Sequence, residues 1–196
     1  MNDKAMRDVF RDLPMLTAGR TVLKKVEMKD AWDLYAYASL DDTSKYLLWS
    51  PHLNIDESRG QIEWLQHRYK RGMYADWGVY HRETLKLIGT VGFASVDAPN
   101  DRAELGYVLS PQYQGRGYMG EAVERVLSLA FCHLELNRVE LRIMQGNTRS
   151  AHFAESHGFK YEGLCRQELL VKGEYRDILH YALLKDEYLS QRQQKA

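Results

Sequence analysis

The residues most suited to chemistry form a glycine-rich run between a predicted strand and a predicted helix. The run spans residues 112–120 and reads Gln-Tyr-Gln-Gly-Arg-Gly-Tyr-Met-Gly, after the strand-like residues 103–109. A glycine-rich turn at the start of a helix leaves several backbone N–H groups without partners, at the positive end of the helix dipole. Such groups bind phosphate, and glycines let a ligand approach the backbone closely. The run therefore predicts a pyrophosphate-binding turn.

Two nucleotide-binding motifs share features of this run. Gly115, Gly117 and Gly120 match the spacing G-x-G-x-x-G, and Glu140 follows where a dinucleotide fold places its ribose-binding acid. A dinucleotide fold needs several parallel β–α–β units, however, and here an antiparallel meander precedes the turn. No Gly-Lys-Ser/Thr follows, which argues against a nucleoside triphosphate loop. The spacing alone is therefore a weak guide to the cofactor.

The elements around the turn predict one mixed α+β domain with helices on both faces of a sheet. Strands are expected near residues 21–26, 77–80, 87–93, 103–109, 138–143, 159–170 and 175–184. Helices are expected after Met28, at 57–72, from Gly117 to about Leu136, and after Asn147. Residues 1–18 are expected to form a loose leader, 19–190 the domain, and 191–196 a polar tail.

Composition limits the classes of partner. The chain has 196 residues, 44% of them apolar, and a formal net charge of zero. It can supply a core, and no overall field attracts it to nucleic acid or membrane. The sequence has no membrane-spanning run, no signal peptide and no zinc-ligand spacing, and two cysteines fit a reducing compartment. We therefore expect a soluble cytoplasmic protein with no metal, nucleic-acid or membrane partner; a homodimer stays open.

The order of these motifs resembles the GNAT superfamily of acyl-CoA-dependent N-acyltransferases. A meander, a Q-x-x-G-x-G turn, a helix and then Asn147 occur in the family's order over residues 18–189. Features that resemble the RimJ/RimL branch are Asn147-x-x-Ser150, His157-Gly158-Phe159, Tyr161-Glu162-Gly163 and Tyr175-Arg176-Asp177. That branch acetylates protein N-termini, those of ribosomal proteins among them. The resemblance implies a seven-stranded, mostly antiparallel, splayed sheet flanked by helices, with acetyl-CoA as cofactor.

The resemblance also implies which residues bind the cofactor. Backbone N–H groups would hold the CoA pyrophosphate at Gln114, Gly115, Arg116, Gly117, Tyr118, Met119 and Gly120. Backbone groups of Val108 and Leu109 would meet the pantetheine arm, which Asn147 also reaches, and Ser150 would lie near the thiol. Each side chain has a structural alternative. Asn147 is also a good helix N-cap, Ser150 a first-turn hydroxyl, and Arg116 a solvated cation.

The implied reaction is direct attack of an amine on a thioester, so the amine must lose a proton and the thiolate must gain one. Glu104, on the strand before the turn, is the first candidate base. Glu168 is the second, although Leu169 stands at the position that aligns with the glutamate of some branch members. Many relatives carry a tyrosine where this chain has Ala154. The proton for the thiolate must therefore come from Ser150, another tyrosine or water.

The acceptor is expected where residues 46–52, the first two helices and the last hairpin meet the splayed strands. Trp49 is the main candidate contact, and Tyr175 and Asp177 are weaker candidates with hairpin packing as the alternative. The RimJ/RimL branch implies a protein or peptide N-terminal amine. A small amine (polyamine, amino acid or antibiotic) and a non-catalytic acyl-CoA sensor remain alternatives.

Overall fold

One eight-stranded sheet organises the chain in a computed structural model, which describes residues 8–195. Its strands are β1 Leu16–Ala18, β2 Thr21–Lys24, β3 Asp76–His81, β4 Leu87–Asp97, β5 Arg102–Leu109, β6 Arg138–Met144, β7 Lys160–Val171 and β8 Glu174–Leu184. Their order in the sheet is β1-β2-β3-β4-β5-β6-β8-β7, and the β5–β6 pair alone is parallel among the described strands. This topology excludes a dinucleotide fold, which needs several parallel units.

Five helices of eight or more residues flank the sheet in the described part of the chain. They are α1 Ala31–Ala38, α2 Ile55–Arg71, α3 Tyr118–Ser128, α4 Thr148–Ser156 and α5 Lys185–Lys195. Local chemistry sets their ends: the Asn54 side chain accepts from the N–H groups that start α2, and Gly72 ends it in a left-handed conformation, φ 62°. None of the helices in residues 8–195 combines the length and apolar character that crossing a bilayer requires.

The sheet has eight strands rather than the predicted seven because β1 forms within the predicted leader. Leu16 pairs with Leu23 of β2, and Phe10 is fully buried. The indole Nε1 of Trp77 donates to the Pro14 carbonyl oxygen at 2.8 Å. The expectation of a loose leader is therefore wrong for residues 8–18, and residues 1–7 lie outside the described residues. A three-residue strand is too short to show the alternation that identifies strands in a sequence.

Helix α5 covers most of the predicted polar tail. Arg192 donates to the hydroxyls of Tyr188, at 2.9 Å, and Ser128, at 3.1 Å. These contacts give a polar segment a partner surface, which its composition does not reveal. Ala196 lies outside the described residues.

The strand register sorts side chains onto two faces of the sheet. One face packs on α3 and α4: His81 Nε2 lies 3.2 Å from the Tyr118 hydroxyl, and Tyr107 reaches α4. The opposite face lies under α1 and α2, since the Tyr80 hydroxyl donates to Asp30, just before α1, at 2.5 Å. Cofactor and acceptor side chains can therefore be assigned to a face from strand position alone.

The centre of the sheet opens where β5 and β6 separate. β5 pairs with β4 along most of its length, but it pairs with β6 only through Arg102–Glu104. Beyond Glu140, which lies opposite Glu104, β6 pairs with β8 alone. Residues 105–109 of β5 therefore border a gap, which we call the splay and which lies directly before the glycine-rich turn.

Candidate active site

The glycine-rich turn presents a row of unused backbone donors. Within the described chain, the N–H groups of residues 115–120 have no acceptor. Gly115 and Gly117 have φ values of 72° and 83°, and a Cβ on Gly115 would meet no atom within 4 Å. The left-handed conformation favours glycine and leaves the backbone accessible. Since Gln114 N–H already donates to Pro111, the cradle begins at Gly115 and not at the predicted Gln114.

A cation on the β1–β2 turn fixes this cradle from outside. Arg20 donates through Nη2 to the Arg116 carbonyl oxygen at 2.7 Å. Its Nε and Nη2 also pair with Glu121 at 2.8 and 2.6 Å, and its guanidinium lies 4.5 Å from the centre of the Tyr118 ring. Sequence reasoning missed Arg20 because it lies far from the turn along the chain.

The side chains of the cradle have separate roles. Tyr118 and Met119 are buried, so their N–H groups alone face the turn; a contact between the Tyr118 side chain and CoA is not supported. The Gln114 amide donates to the Leu109 carbonyl oxygen at 2.9 Å and accepts from Arg149. Arg116 is exposed, and its guanidinium has no acceptor among the described residues, so it is free to contact phosphate.

The direction of the β5 backbone decides which groups face the splay. Ser110 N–H donates to Ile88 on β4. Along an antiparallel strand, the N–H and C=O groups of successive residues point alternately toward and away from the partner strand. The N–H and C=O of Val108 therefore also point toward β4, and those of Tyr107 and Leu109 point into the splay. The predicted Val108 contact is therefore disfavoured. Leu109 and Tyr107 each keep an N–H without an acceptor in the part of the chain that the structure describes, so both are available to a pantetheine arm.

A paired hydroxyl system lies beside the splay. Asn147 caps α4 by accepting from Ser150 N–H at 3.2 Å. The Ser150 hydroxyl lies 2.8 Å from that of Tyr107, whose ring packs 4.8 Å from the ring of Phe153. Burial raises the pKa of Tyr107 to about 12, so the phenol keeps its proton at neutral pH. Tyr107 was not predicted as a site residue, although the alternation of β5 places it on the α4 face.

The two predicted carboxylates meet on the opposite face of the sheet. Arg142 Nε lies 3.0 Å from Glu104 and its Nη1 lies 3.3 Å from Glu168. His180 Nε2 lies 2.5 Å from the other oxygen of Glu168. One guanidinium therefore joins both candidate bases in a single network.

A bulge in β7 explains why Glu168 faces this network. Cys165 pairs with Ile178 and Leu169 with Arg176, so four steps on β7 oppose two on β8. Gln167 has φ 52°, and its N–H donates to the Asp177 carboxylate at 2.8 Å. The one-residue offset seen in the sequence falls in this irregular segment. Asp177 therefore holds the bulge, which is the hairpin role that the sequence left open.

The partners of Glu168 keep it ionised. Burial raises the pKa of Glu168, but the hydrogen bonds from His180 and Arg142 outweigh it, and the pKa lies below its usual value. A carboxylate held in this way stays ionised and is a weak base. Cys165, Glu168 and His180 offer ligand atoms within 4.8 Å of one another, a cluster that the spacing did not predict. The adjacent Arg142 guanidinium opposes binding of a cation there.

An aromatic groove lies between α1, the start of α2 and the loop that joins them. It has a volume of about 790 Å³ and is lined by Tyr35, Ser39, Asp41, Trp49, Ser50, Pro51, His52, Leu53 and Glu57. The loop is tied to the last hairpin, since Lys172 donates to the Ser44 carbonyl oxygen at 2.7 Å. Trp49 lines this groove, and its contact with an acceptor stays a prediction. Tyr175 does not line the groove and is 66% exposed on the hairpin.

The donors and the splay fit acetyl-CoA: unused amides for the pyrophosphate, a free backbone edge for the arm, and a hydroxyl pair near its end.

The Acetyltransferase (GNAT) domain family matches residues 20–160. An uncharacterised N-acetyltransferase, p20 of Bacillus licheniformis, is 34% identical over 86% of this chain and 95% of its own length. The [Ribosomal protein uS5]-alanine N-acetyltransferase of Escherichia coli is 27% identical over 86% of this chain and 89% of its own.

A solved structure shares the same architecture with a ligand bound. Spermidine N-acetyltransferase from Vibrio cholerae, in complex with CoA and spermine, has a TM-score of 0.73 and 23% identity over 87% of this chain and 99% of its own. At that identity the likeness establishes the fold. Together with the family match, the fold and the cradle lead to one conclusion: this chain belongs to the GNAT acetyltransferase family and is an N-acetyltransferase that uses acetyl-CoA as cosubstrate.

Proposed function

We propose that this enzyme acetylates the N-terminal α-amine of a protein or peptide, as the RimJ/RimL branch does. One observation carries the proposal: the similarity to the ribosomal-protein alanine acetyltransferase extends over 86% of the chain. The matched length extends well beyond the predicted cofactor-binding residues, which lie between Val108 and Ser150. It therefore has to include elements that contribute to acceptor binding.

The groove around Trp49 supports this acceptor. An N-terminal residue brings a cationic amine and a short side chain. Aromatic rings attract cations, and the carboxylates of Asp41 and Glu57 add negative charge to the same groove. A volume of about 790 Å³ accommodates one or two residues of a peptide.

The geometry supports a role for each of the protein side chains in this reaction. The thioester supplies an activated acetyl carbon when acetyl-CoA is bound. Glu104 accepts a proton from the amine directly or through water, Glu168 and Arg142 orient it, and the Tyr107–Ser150 pair donates a proton to the leaving sulfur. The cradle amides and Arg116 hold the pyrophosphate, and Asn147 positions Ser150.

A small cationic amine is the second candidate. The acidic character of the groove favours it, and the fold is that of a spermidine N-acetyltransferase. The two candidates differ in the chain attached to the reacting nitrogen: a peptide bond after one residue, or an alkyl chain with further amines.

An acceptor panel separates them. Thiol release from acetyl-CoA is measured with short peptides that have a free N-terminus, with the same peptides N-terminally blocked but containing lysine, and with spermidine. We expect turnover with free N-termini and mass-spectrometric location of the acetyl group on the α-nitrogen. Turnover confined to spermidine would replace the peptide proposal with the second candidate. Acetyl-CoA binding without turnover on any amine would indicate a sensor.

A further inference from the structure

Two glycines on neighbouring strands, next to Asp76, form a strip of bare backbone on the sheet face under α1 and α2. Asp76 on β3 lies opposite Gly92 on β4, and Gly92 lies opposite Gly106 on β5. Residues opposite one another share a face of the sheet, and neighbouring strands lie about 4.8 Å apart. The strip therefore leads from Asp76 across two glycines to the β5 edge, where Tyr107 and Leu109 border the splay.

The Asp76 carboxylate lies on this strip. A Cβ placed on Gly92 would stand 2.5 Å from Asp76 Oδ1, so the carboxylate occupies the space that this glycine leaves. A Cβ placed on Gly106 would meet only the Ala94 Cβ, at 3.8 Å. The strip is thus filled at Gly92 and open at Gly106, between the carboxylate and the splay.

Two polar groups on this side lack partners. Among the described residues, the Asp76 side chain makes no hydrogen bond or ion pair; Arg68 Nε, on α2, donates instead to the Tyr74 carbonyl oxygen. The Tyr37 hydroxyl is also unpaired, although the residue is 2% exposed. Buried polar groups are normally satisfied, so the Tyr37 hydroxyl calls for a polar guest. The partly buried Asp76 carboxylate acts electrostatically on this hydroxyl, so one guest can interact with both groups. An ammonium group, with several N–H donors and a positive charge, satisfies both.

We propose that Asp76 and Tyr37 bind the ammonium group of the acceptor, and that Asp76 takes its proton before attack on the thioester. The proposal rests on the N-acetyltransferase activity and adds a second carboxylate to the sheet face that carries Glu104. The proton passes from nitrogen to a carboxylate oxygen. The freed lone pair forms the N–C bond as the C–S bond breaks, and Glu104 takes the second proton that the nitrogen loses to become an amide. Tyr107–Ser150 protonates the sulfur. After product release the pair regains a proton from Glu104 through water, and Asp76 returns its proton to water.

The surroundings of Asp76 suit a base. Burial raises the pKa of Asp76 to about 6, and the Arg68 charge lowers it by less. A base works best when its pKa lies near the working pH. The other titratable groups that face it are Tyr37 on α1 and Tyr69 on α2, whose hydroxyl donates to the Asp76 main-chain oxygen at 2.6 Å. Burial, then the charges of Asp76 and Asp33, raises the pKa of Tyr37, and burial raises that of Tyr69, so both phenols stay protonated.

The first test is steady-state kinetics of Asp76→Asn in the full-length enzyme, on whichever amine the wild type acetylates. We expect kcat/KM for the amine to fall about 10- to 100-fold with the KM for acetyl-CoA unchanged. The acidic limb of its pH profile should disappear, and Asp76→Glu should restore part of it. An unchanged pH limb with unchanged amine KM would overturn the proposal. Because any accepted amine serves, a wrong choice of acceptor class leaves this test intact.

A second variant tests the strip without touching the carboxylate. Gly106→Ala adds a methyl group where there is room for it, so the fold should be retained. We expect the amine KM to rise several-fold and the acetyl-CoA KM to stay constant. Gly60→Ala is the matched control, since a Cβ there meets no atom within 4 Å and the site is on α2. Equal amine KM values for the two variants would contradict a path over Gly106.

Discussion

The hydroxyl of Tyr107 lies 2.8 Å from the hydroxyl of Ser150, across the face where β5 meets α4. Neither residue alone supplies a strong acid. The buried phenol keeps its proton, and the serine can relay it toward the splay. We propose that this pair takes the place of the tyrosine that many relatives carry where Ala154 stands.

Tyr107→Phe should lower kcat by roughly 10²-fold, the lower end of what acid–base catalysis contributes. The KM for acetyl-CoA should change little, because the ring and its packing on Phe153 remain. Stopped-flow measurement of thiol release tests this. Tyr161→Phe is the control, since that ring is half exposed and its hydroxyl has no partner among the described residues. Equal rates for both variants would remove Tyr107 from the chemistry.

Glu104→Gln should reduce turnover at neutral pH and leave acetyl-CoA affinity unchanged, because it removes a proton acceptor but keeps the shape. Glu168→Gln should have a smaller effect, since that carboxylate is held as an anion by His180 and Arg142. Glu140→Gln is the control: this carboxylate opposes Glu104 in the β5–β6 register and pairs with Arg138. If Glu104→Gln is as active as Glu140→Gln, Glu104 has no part in proton transfer.

The raised pKa of Asp76 predicts a pH-dependent cost in stability. Its native pKa of about 6 exceeds the ordinary value of 3.8, so the native state binds more protons between those values. The contribution of Asp76 to stability therefore falls as pH rises through this window and stays low above it. Asp76→Asn should raise the melting temperature at neutral pH more than at pH 4. Calorimetric melts at both values check this, and an equal or opposite difference would show that Asp76 is not desolvated.

Arg20→Ala should weaken acetyl-CoA binding without a direct contact to it. The variant frees the Arg116 carbonyl oxygen and leaves Glu121, at the start of α3, without its cation, although Glu121 keeps its hydrogen bond from the backbone N–H of residue 20. Both changes disturb the cradle, the second by placing negative charge near the pyrophosphate. Titration calorimetry should show a higher Kd that Arg20→Lys restores only in part, because lysine lacks the forked geometry. An unchanged Kd would mean that the cradle holds its shape alone.

The predicted cofactor half of the site is more local in the sequence than the acceptor half. The phosphate cradle is local: its glycines and the helix after them are consecutive, so a short pattern identifies them. Asn147 and Ser150 are likewise close together in the sequence; the structure shows the cap between them, and their roles toward the cofactor stay predictions. Arg20, Arg142 and His180 act through contacts between distant strands, which no local pattern encodes.

The remaining differences have equally specific causes. The β7 bulge places Glu168 beside His180, and it depends on Gln167 at φ 52°, a conformation that its residue type does not indicate. β1 was missed because three residues cannot show alternation. Asp76 was missed because its environment comes from two glycines on neighbouring strands, visible only once the register is known.

The central claim is that backbone amides at the start of α3 hold the pyrophosphate of acetyl-CoA. Isothermal titration of acetyl-CoA into wild type, Gly117→Ala and Gly117→Glu tests it most directly. Gly117→Ala carries the cost of a left-handed alanine and of a Cβ 3.2 Å from Arg20 Nη2, and it should bind with moderately reduced affinity. Gly117→Glu adds bulk and negative charge at the cradle and should show no measurable binding while melting near the alanine variant. Wild-type affinity in Gly117→Glu would contradict the account.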